Sequence, residues 1–247
     1  MKPRRNVLER VRLSILLVLL VIASVGAGAC SGGSDDEPLP TSTVGASGNL
    51  LENAGFEAGE APWFTIAEES GFEVTSEQAH SGDYSAVLRM DDPAFASGNK
   101  VYYLVQEIDP GELPEVVEGF YRVENWNRGA MRQYVQFVII AIGPDNFPDF
   151  ASNFQLRYLL AGQEVPPFGI RNAHFVFVNR DEPVQGDWVR FSLNIRDDFE
   201  AYWHMVPEGF EKLRLLFEVR WDSKDTGSGA PRGDVYYDDL YIGDRRN

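Results

Sequence analysis

The side chains most often used in catalysis are sparse in this chain of 247 residues. Its three histidines, His80, His174 and His204, lie far apart and show no metal-ligand spacing such as His-x-x-x-His. The sequence has neither a Gly-x-Ser-x-Gly nucleophile elbow nor a glycine-rich phosphate-binding loop. A glycosidase needs two carboxylates beside the scissile bond, but any chain with 38 acidic residues offers some such pair. The residue types therefore give little support for an enzyme.

Two predicted strands carry polar side chains on the face that should point away from the core. Side chains alternate between the two faces of a strand. In Arg132–Ile142 and in Leu213–Trp221 most odd-numbered positions are apolar and are expected to face the core. The outward positions then include residues with hydrogen-bonding or aromatic groups: Tyr134 and Gln136 on one outward face, and Glu218 and Arg220 on another. Such groups are suited to binding a polar ligand.

The neighbouring residues in the sequence indicate whether three further aromatic residues lie at the surface or in the core. Trp126 lies in the polar segment Glu124–Asn127, which predicts a turn and gives a tryptophan little reason to be there as a core residue. Tyr158 and Trp221 share strand parity with apolar residues, so we expect them to be structural. A tryptophan that is exposed in a polar turn offers a flat apolar face to a ligand. Trp126 is therefore a candidate binding residue.

The sequence between these candidates indicates an all-β fold. Helical periodicity is scarce, and short runs rich in Val, Ile, Phe, Tyr and Leu recur with turn residues between them. Further strands are expected at Ser85–Met90, Val101–Ile108, Glu118–Val123, Phe154–Leu160, His174–Asn179 and Arg190–Arg196. The prolines between Gly143 and Arg171 predict an elaborated loop or hairpin around one strand. About 200 residues are enough for one β-sandwich with a full core.

The N-terminal segment has the composition of an export signal and a tether. Residues 1–29 combine basic residues with the apolar stretch Leu13–Val25, which is too short to span a bilayer. Ala27-Gly28-Ala29-Cys30 is typical of a lipoprotein signal-peptidase site, so Cys30, the only cysteine, is predicted to carry a lipid. The alternative is an ordinary secretory signal followed by an incidental cysteine. Residues 30–48 then form a lipidated cysteine and flexible tether, and 49–247 form one domain held at a bacterial membrane, facing the periplasm or the exterior.

The acidic charge of the chain limits its classes of partner. The sequence has 22 Lys and Arg against 38 Asp and Glu, a formal net charge of −16. Such a surface repels nucleic acid and anionic lipid headgroups, so the membrane contact is expected through the lipid anchor only. It also disfavours polyanionic glycans, unless arginines cluster locally. The same acidity suits hard cations such as calcium.

Four segments resemble carbohydrate-binding modules of families 4, 9 and 22. They are Asn49–Glu57 (NLLENAGFE) followed by Trp63, Ala79–Ser85 (AHSGDYS), Gly186–Leu193 (GDWVRFSL) and Asp234–Ile242 (DVYYDDLYI). The resemblance is weakest over Gly143–Asn179. It implies a galactose-binding-like jelly-roll β-sandwich that holds a structural calcium and binds a glycan without cleaving it.

The resemblance also implies ligands for the calcium. In these modules a Glu after a Phe near the start meets the first Asp of a closing Asp-Asp pair, which here are Glu57 and Asp238. Strand parity agrees for Asp238, because it shares a side with apolar residues and an inward carboxylate needs a partner. Carbonyl oxygens from the Asn53–Gly55 turn and from Ser81–Asp83 are expected to complete the coordination shell.

The implied function is non-catalytic capture of a polysaccharide or glycan at the cell envelope. The candidate sugar-binding residues are Trp126, Tyr134, Gln136, Glu218 and Arg220. Two alternatives stay open at this point. One is an envelope lipoprotein that binds a protein partner and has no sugar site. The other is a jelly-roll polysaccharide lyase or hydrolase with a cleft built from the elaborated middle region.

Overall fold

Ten strands and one α-helix make up most of the described part of the chain. The computed structural model describes residues 48–93, 97–224 and 229–246, so the predicted signal peptide, Cys30 and residues 31–47 lie outside the described residues. The strands are β1 (Glu73–Thr75), β2 (Ser85–Asp91), β3 (Gly98–Ile108), β4 (Val116–Asn127), β5 (Arg132–Ile142), β6 (Asn153–Ala161), β7 (Ala173–Phe177), β8 (Trp188–Leu193), β9 (Lys212–Lys224) and β10 (Arg232–Gly243). A 3₁₀ helix (Glu68–Ser70) precedes β1, and helix α1 (Ile195–Trp203) follows β8.

The strands form two five-stranded sheets that enclose the core. The first sheet has the order β1-β2-β10-β4-β8, and the second has the order β3-β9-β5-β6-β7. Neighbouring strands are antiparallel, except that β6 and β7 are parallel. The jelly-roll β-sandwich that the sequence predicts is thereby confirmed. Within the described ranges, no helix has the length and apolar character needed to cross a membrane.

The core follows the predicted alternation of apolar side chains. The inward positions of β5 and β9 are buried: Val135, Phe137, Ile139, Leu213, Leu215, Phe217 and Val219. Phe217 packs against aromatic rings from both sheets: its ring centroid lies 4.8 Å from that of Phe137 and 5.3 Å from that of Tyr237. Tyr158 and Trp221 also belong to this core, as predicted. Full burial of one such side chain stabilises the fold by about 1.5–3 kcal/mol.

The last strand lies in the middle of the first sheet. β10 pairs with β2 on one side and with β4 on the other. The first described residues also attach to it, because Leu50 N–H donates to the Ile242 carbonyl (2.8 Å). The side chain of Asn49 bonds the same strand from Nδ2 to the Leu240 carbonyl (2.8 Å) and accepts from Ile242 N–H (3.0 Å). The two ends of the domain therefore meet at one strand.

One predicted strand ends early and continues as a helix. The sequence predicts strand through Arg196, but β8 ends at Leu193 and α1 begins at Ile195. Ile195 and Phe199, four residues apart, are both fully buried on one face of the helix. Asp197 and Asp198 lie in the first turn of the helix, where negative charge interacts favourably with the helix dipole. A helix of nine residues is too short to show a clear period.

The elaborated middle region connects two parallel strands. Antiparallel neighbours can be joined by a tight turn, but the parallel pair β6 and β7 needs a crossover connection. Residues 163–171, here called the strap, form most of that connection. Pro167 in the strap is buried and Phe168 is half-buried, whereas Val165 and Ile170 are exposed. The strap lies over the outer face of the second sheet, as the contacts of Phe168 described below show.

Candidate functional site

A turn at one edge of the sandwich is held by the buried carboxylate of Asp238. Its Oδ2 accepts hydrogen bonds from the backbone N–H groups of His80 (2.7 Å) and Ser81 (3.2 Å). Its Oδ1 accepts from the N–H of Asp239 (2.7 Å). Burial raises the pKa of the Asp238 carboxyl to about 6, although the three hydrogen bonds favour its charged form. Asp238 is buried, but beneath this turn and not in the core, because a bulge after it, with Asp239 at φ +49°, separates its side of the strand from that of Leu240 and Ile242. The prediction that it shares their side is therefore wrong.

Glu57 holds the other half of the same turn. Its Oε1 accepts from the N–H groups of Asp83 (2.9 Å) and Tyr84 (3.0 Å). Gly82 lies between these contacts at φ +65°, and a Cβ there would collide with the Glu57 carboxylate. Glu57 and Asp238 thus both bind the turn 80–84, each through backbone N–H groups.

The chemistry of this edge fits a calcium ion only in part. The side chain of Asn53 bonds its own loop, from Nδ2 to the carbonyls of Gly59 (2.6 Å) and Ala61 (3.0 Å). The Ser81 hydroxyl donates to Asp239 Oδ1 (2.7 Å). Among the residues that the structure describes, no group of three or more His, Cys, Asp or Glu side chains is placed to hold a metal. The calcium and its ligands Glu57, Asp238, Asn53 and Ser81 stay a prediction.

Trp126 lies at a β-bulge near the end of β4. Arg232 and Asp234 of β10 pair with Asn127 and Glu124 of β4. Between these pairs β10 has one residue and β4 has two, of which Asn125 has φ +54°. A bulge of this kind redirects a side chain out of the regular alternation. The indole lies against Gly233 of β10, where a Cβ would be only 2.7 Å from Trp126 Cε3. The prediction of a polar turn at 124–127 is therefore wrong, because β4 continues to Asn127. The expectation that Trp126 lies apart from the core is also wrong, because its half-buried side chain packs against the hydrophobic core.

The half-buried Trp126 ring forms part of an open groove at the rim of the first sheet. Its Nε1 donates to Glu182 Oε2 (2.8 Å), and its backbone N–H donates to Gln185 Oε1 (2.8 Å). The groove has a volume of about 660 Å³ and is lined by Asn125, Trp126, Asn127, Gln185, Ala230 and Arg232. Three of these residues are amides, which can both donate and accept hydrogen bonds.

The other four candidate residues lie together on the outer face of the second sheet. In the register of β5 and β9, Tyr134 is opposite Arg220 and Gln136 is opposite Glu218. Gln136 Nε2 donates to Glu218 Oε2, and the Tyr134 hydroxyl donates to Asp222 Oδ2 (2.9 Å). Arg220 pairs with the same Asp222 through two nitrogens (3.1 and 2.7 Å). Strand parity placed Tyr134 and Gln136 on one outward face and Glu218 and Arg220 on another, whereas the pairing of β5 with β9 brings all four onto the same face.

Their exposure, however, differs from the prediction. Tyr134 and Gln136 have no exposed area and Glu218 has 2%. The strap contributes to this burial, because the Phe168 ring lies 5.1 Å from the Arg220 guanidinium. Burial raises the pKa of Glu218 and of Tyr134. The expectation of an open outer surface here is therefore wrong, and Trp126, on the opposite sheet, does not join this cluster.

Two residues of this face were not among the sequence candidates. Arg157 of β6 points to the same side, and its guanidinium lies 5.5 Å from the Phe168 ring. The alternation of Phe154–Leu160 contained a signal for Arg157, because the even positions of that strand are apolar and the odd ones are polar at 155 and 157. Phe168 lies in a loop with no periodic pattern, so no comparable signal exists for it.

Comparison with solved structures finds carbohydrate-binding modules among the neighbours of this chain. One is TmCBM61 in complex with β-1,4-galactotriose, with 14% identity and a TM-score of 0.42 over 78% of this chain and 97% of that one. A second is the CBM22-1 xylan-binding domain of Xyn10C from Paenibacillus barcinonensis, with 14% identity and a TM-score of 0.37 over 78% and 94%. A third is the enzymatically active domain of tailspike protein 4 from bacteriophage CBA120, with 11% identity and a TM-score of 0.40 over 79% and 21%. No protein-family model and no curated protein matches the chain.

Proposed function

We propose that the protein binds a glycan without cleaving it, and that the groove around Trp126 is the binding site. The observation that carries this proposal is the bulge in β4, which holds a tryptophan ring in an open groove among three amide side chains. Tyr134, Gln136 and Glu218 of the second sheet are too buried to contact a polymer in this conformation, and the side chain of Arg220 is only 13% exposed. Of the predicted sugar-binding residues, Trp126 is therefore the one best placed to act.

The groove has the two kinds of group that a sugar ring needs. The apolar face of a pyranose packs on an aromatic ring, and its hydroxyl groups require both donors and acceptors at fixed positions. Asn125, Asn127 and Gln185 supply amide groups of both kinds. The one charged lining residue, Arg232, pairs with Asp91 Oδ1 (2.8 Å). Together with the net charge of −16, this pairing favours a neutral glycan in the groove.

The proposal includes the setting that the sequence predicts for this domain. We expect Cys30 to attach the chain to a membrane at the cell envelope, with the glycan on the outer side. We also expect a structural calcium at the turn held by Glu57 and Asp238. The lipid anchor and the calcium are separate predictions, and either can be wrong without affecting glycan binding in the groove. The groove and the turn lie on different parts of the first sheet.

Native electrophoresis of the purified full chain through gels that contain single polysaccharides tests the proposal. Retardation by at least one neutral polysaccharide is expected. Trp126→Ala should weaken it at least about tenfold, or about 1.4 kcal/mol, as for an aromatic residue central to a binding site. The matched control is Trp188→Ala, which removes another half-buried indole of the same sheet, placed edge-on to His80 at 5.7 Å.

Three results would contradict the proposal. The first is that no polysaccharide retards the protein, which would favour a protein partner. The second is that Trp126→Ala and Trp188→Ala lose retardation equally, which would point to lost stability rather than a lost contact. The third is a fall in the chain length of the polysaccharide during incubation, which would indicate an enzyme.

A further inference from the structure

β7 is an edge strand of the second sheet, and its outer side has no strand partner among the residues that the structure describes. It pairs with β6 alone. The other edge strand, β3, is bridged by Phe64, whose N–H and carbonyl groups both bond Val105 (3.0 and 2.9 Å). An edge strand presents a row of unpaired N–H and C=O groups, which is a template for pairing with another chain. β7 is therefore the edge of this sheet at which a further strand can add.

The hydrogen bonds between β6 and β7 identify the backbone groups that face outward. The Asn172 carbonyl accepts from an N–H group of β6 (2.9 Å), and the Val178 N–H donates to a carbonyl of β6 (3.0 Å). In a parallel pair every second residue bonds the neighbouring strand, so the even positions from 172 to 178 bond β6. The odd residues Phe175 and Phe177 then direct their N–H and C=O groups to the free edge.

Exposed apolar side chains border this edge. Ile170 precedes β7 and Val178 follows it, and both are exposed. Tyr202 of α1 is also exposed, and its ring is stacked 5.6 Å from that of His174 in β7. Single exposed apolar residues are common on any protein surface. A group of them beside unpaired strand groups indicates an interaction surface.

Two exposed arginines place positive charge at the ends of this edge. The Arg171 guanidinium lies over the Phe150 ring (4.6 Å to the centroid), and that of Arg180 lies over the Phe177 ring (3.8 Å). No carboxylate of the described residues forms an ion pair with either one, and Arg180 Nη1 donates to a backbone carbonyl, that of Glu164. A segment that lies along β7 therefore meets an unpaired positive charge near each of its ends.

A second copy of this chain is a poor match for the edge. Two copies related by a two-fold axis would pair β7 with itself in antiparallel order. With Phe175 at the centre of that pairing, Arg171 of one copy would lie opposite position 179 of the other, beside its Arg180. Like charges opposite one another destabilise a strand pair. The charges of the edge thus favour a partner segment that is acidic.

We propose that the free edge of β7 binds an extended acidic segment of a partner protein, which adds to the second sheet as a further strand. Main-chain hydrogen bonds to Phe175 and Phe177 hold the segment, as in other proteins that bind a peptide at a sheet edge. Arg171 and Arg180 bind carboxylates near its two ends. A segment of about nine residues has the required length, at about 3.3 Å per residue. The site does not depend on the groove around Trp126.

Fluorescence anisotropy of the purified full chain with two labelled peptides tests this site. The first is a nine-residue peptide of alternating valine and threonine with glutamate at both ends, and the second has lysine at both ends. The glutamate peptide should bind at least about tenfold more tightly than the lysine peptide. In amide exchange followed by NMR, it should slow exchange of the Phe175 and Phe177 N–H groups. Those of His174 and Val176, which already bond β6, should change little.

Phe175→Pro and Phe175→Ala form a matched pair of variants. Both remove the ring that packs edge-on against Phe168 (5.1 Å), but only proline removes the outward N–H group. Proline is tolerated on an edge strand where its missing N–H faces away from the neighbouring strand. Phe175→Pro should therefore bind the glutamate peptide at least about tenfold more weakly than Phe175→Ala does. Arg171→Gln should weaken the glutamate peptide several-fold and leave the lysine peptide unchanged.

Four results would overturn the inference. They are no binding of the glutamate peptide, equal binding of the lysine peptide, equal binding by the Phe175→Pro and Phe175→Ala variants, and a bound peptide that leaves the Phe175 and Phe177 amides unprotected. The last uses the unchanged chain, so it decides even if Phe175→Pro fails to fold, which its thermal midpoint checks. Dimers in analytical ultracentrifugation that Phe175→Pro abolishes would assign the edge to a second copy instead. Trp126→Ala should bind the peptide normally, so failure of the groove and failure of this edge give different results.

Discussion

The carboxylate of Asp238 accepts hydrogen bonds from three backbone N–H groups, and Asp238→Ala removes all three contacts at once. A buried donor left without an acceptor costs about 1–3 kcal/mol. Ser81 is exposed, so water can replace Asp238 as the acceptor for its N–H group. The expected loss in unfolding free energy is therefore about 3–5 kcal/mol, which is less than the sum for three buried donors. Urea unfolding at pH 7 in a buffer with a chelator, followed by tryptophan fluorescence, measures this loss as a lower midpoint with an unchanged slope.

Asp239→Asn is the matched control for this measurement. The Asp239 side chain is 31% exposed and contacts His80 Nδ1 (2.6 Å) and Ser81 Oγ (2.7 Å), both of which can turn to water. Asp239 has φ +49°, a conformation that asparagine tolerates. The expected loss is therefore at most about 1 kcal/mol. If Asp238→Ala costs no more than Asp239→Asn, the carboxylate of Asp238 does not hold the turn.

Three further predictions concern pH, calcium and the groove. The pKa of Asp238 is about 6 in the folded protein against an ordinary value of 3.8, so the folded state keeps a proton that the unfolded state loses in this window. The free energy of unfolding should then fall by at most about 3 kcal/mol as the pH rises from about 4 to above 6. Urea titrations at each pH measure this fall, and the Asp238→Asn variant should not show it. Calcium at a hundred times its Kd should raise the unfolding free energy by about 2.7 kcal/mol, and Glu57→Gln should remove this gain; no gain at any concentration would refute the calcium prediction. Gly233→Ala should cost about 1–3 kcal/mol and weaken glycan retardation, because its Cβ would displace the Trp126 ring. Gly169→Ala, whose Cβ meets nothing within 4 Å, should be nearly neutral, and an equal loss there would contradict the reasoning.

Regular alternation made the strands and the core predictable. Val135, Phe137 and Leu215 face inward because a strand that buries one face must place its apolar residues at every second position. The same rule placed Gln136 and Glu218 on the outer side of their strands, but it failed for Asp238, because a bulge at Asp239 interrupts the alternation of β10. Such inferences need only the local sequence, since the partner strand continues the same pattern.

The burial of that outer face was not predictable in the same way. It depends in part on Phe168, which belongs to a crossover loop and reaches the face only because β7 is parallel to β6. The position of Trp126 depends on one extra residue in β4 opposite a glycine of β10. Both features arise from pairings between segments distant in sequence, and neither leaves a periodic signal in its own segment.

The central position of β10 has a consequence for how the domain forms during synthesis. β10 is synthesised after β2 and β4, yet it lies between them in the sheet. A nascent chain that ends before Arg232 can form neither pairing, and Asn49 and Leu50 then have no strand to join. The first sheet therefore closes only after β10 has been made. Until that point the facing edges of β2 and β4 have no strand to pair with.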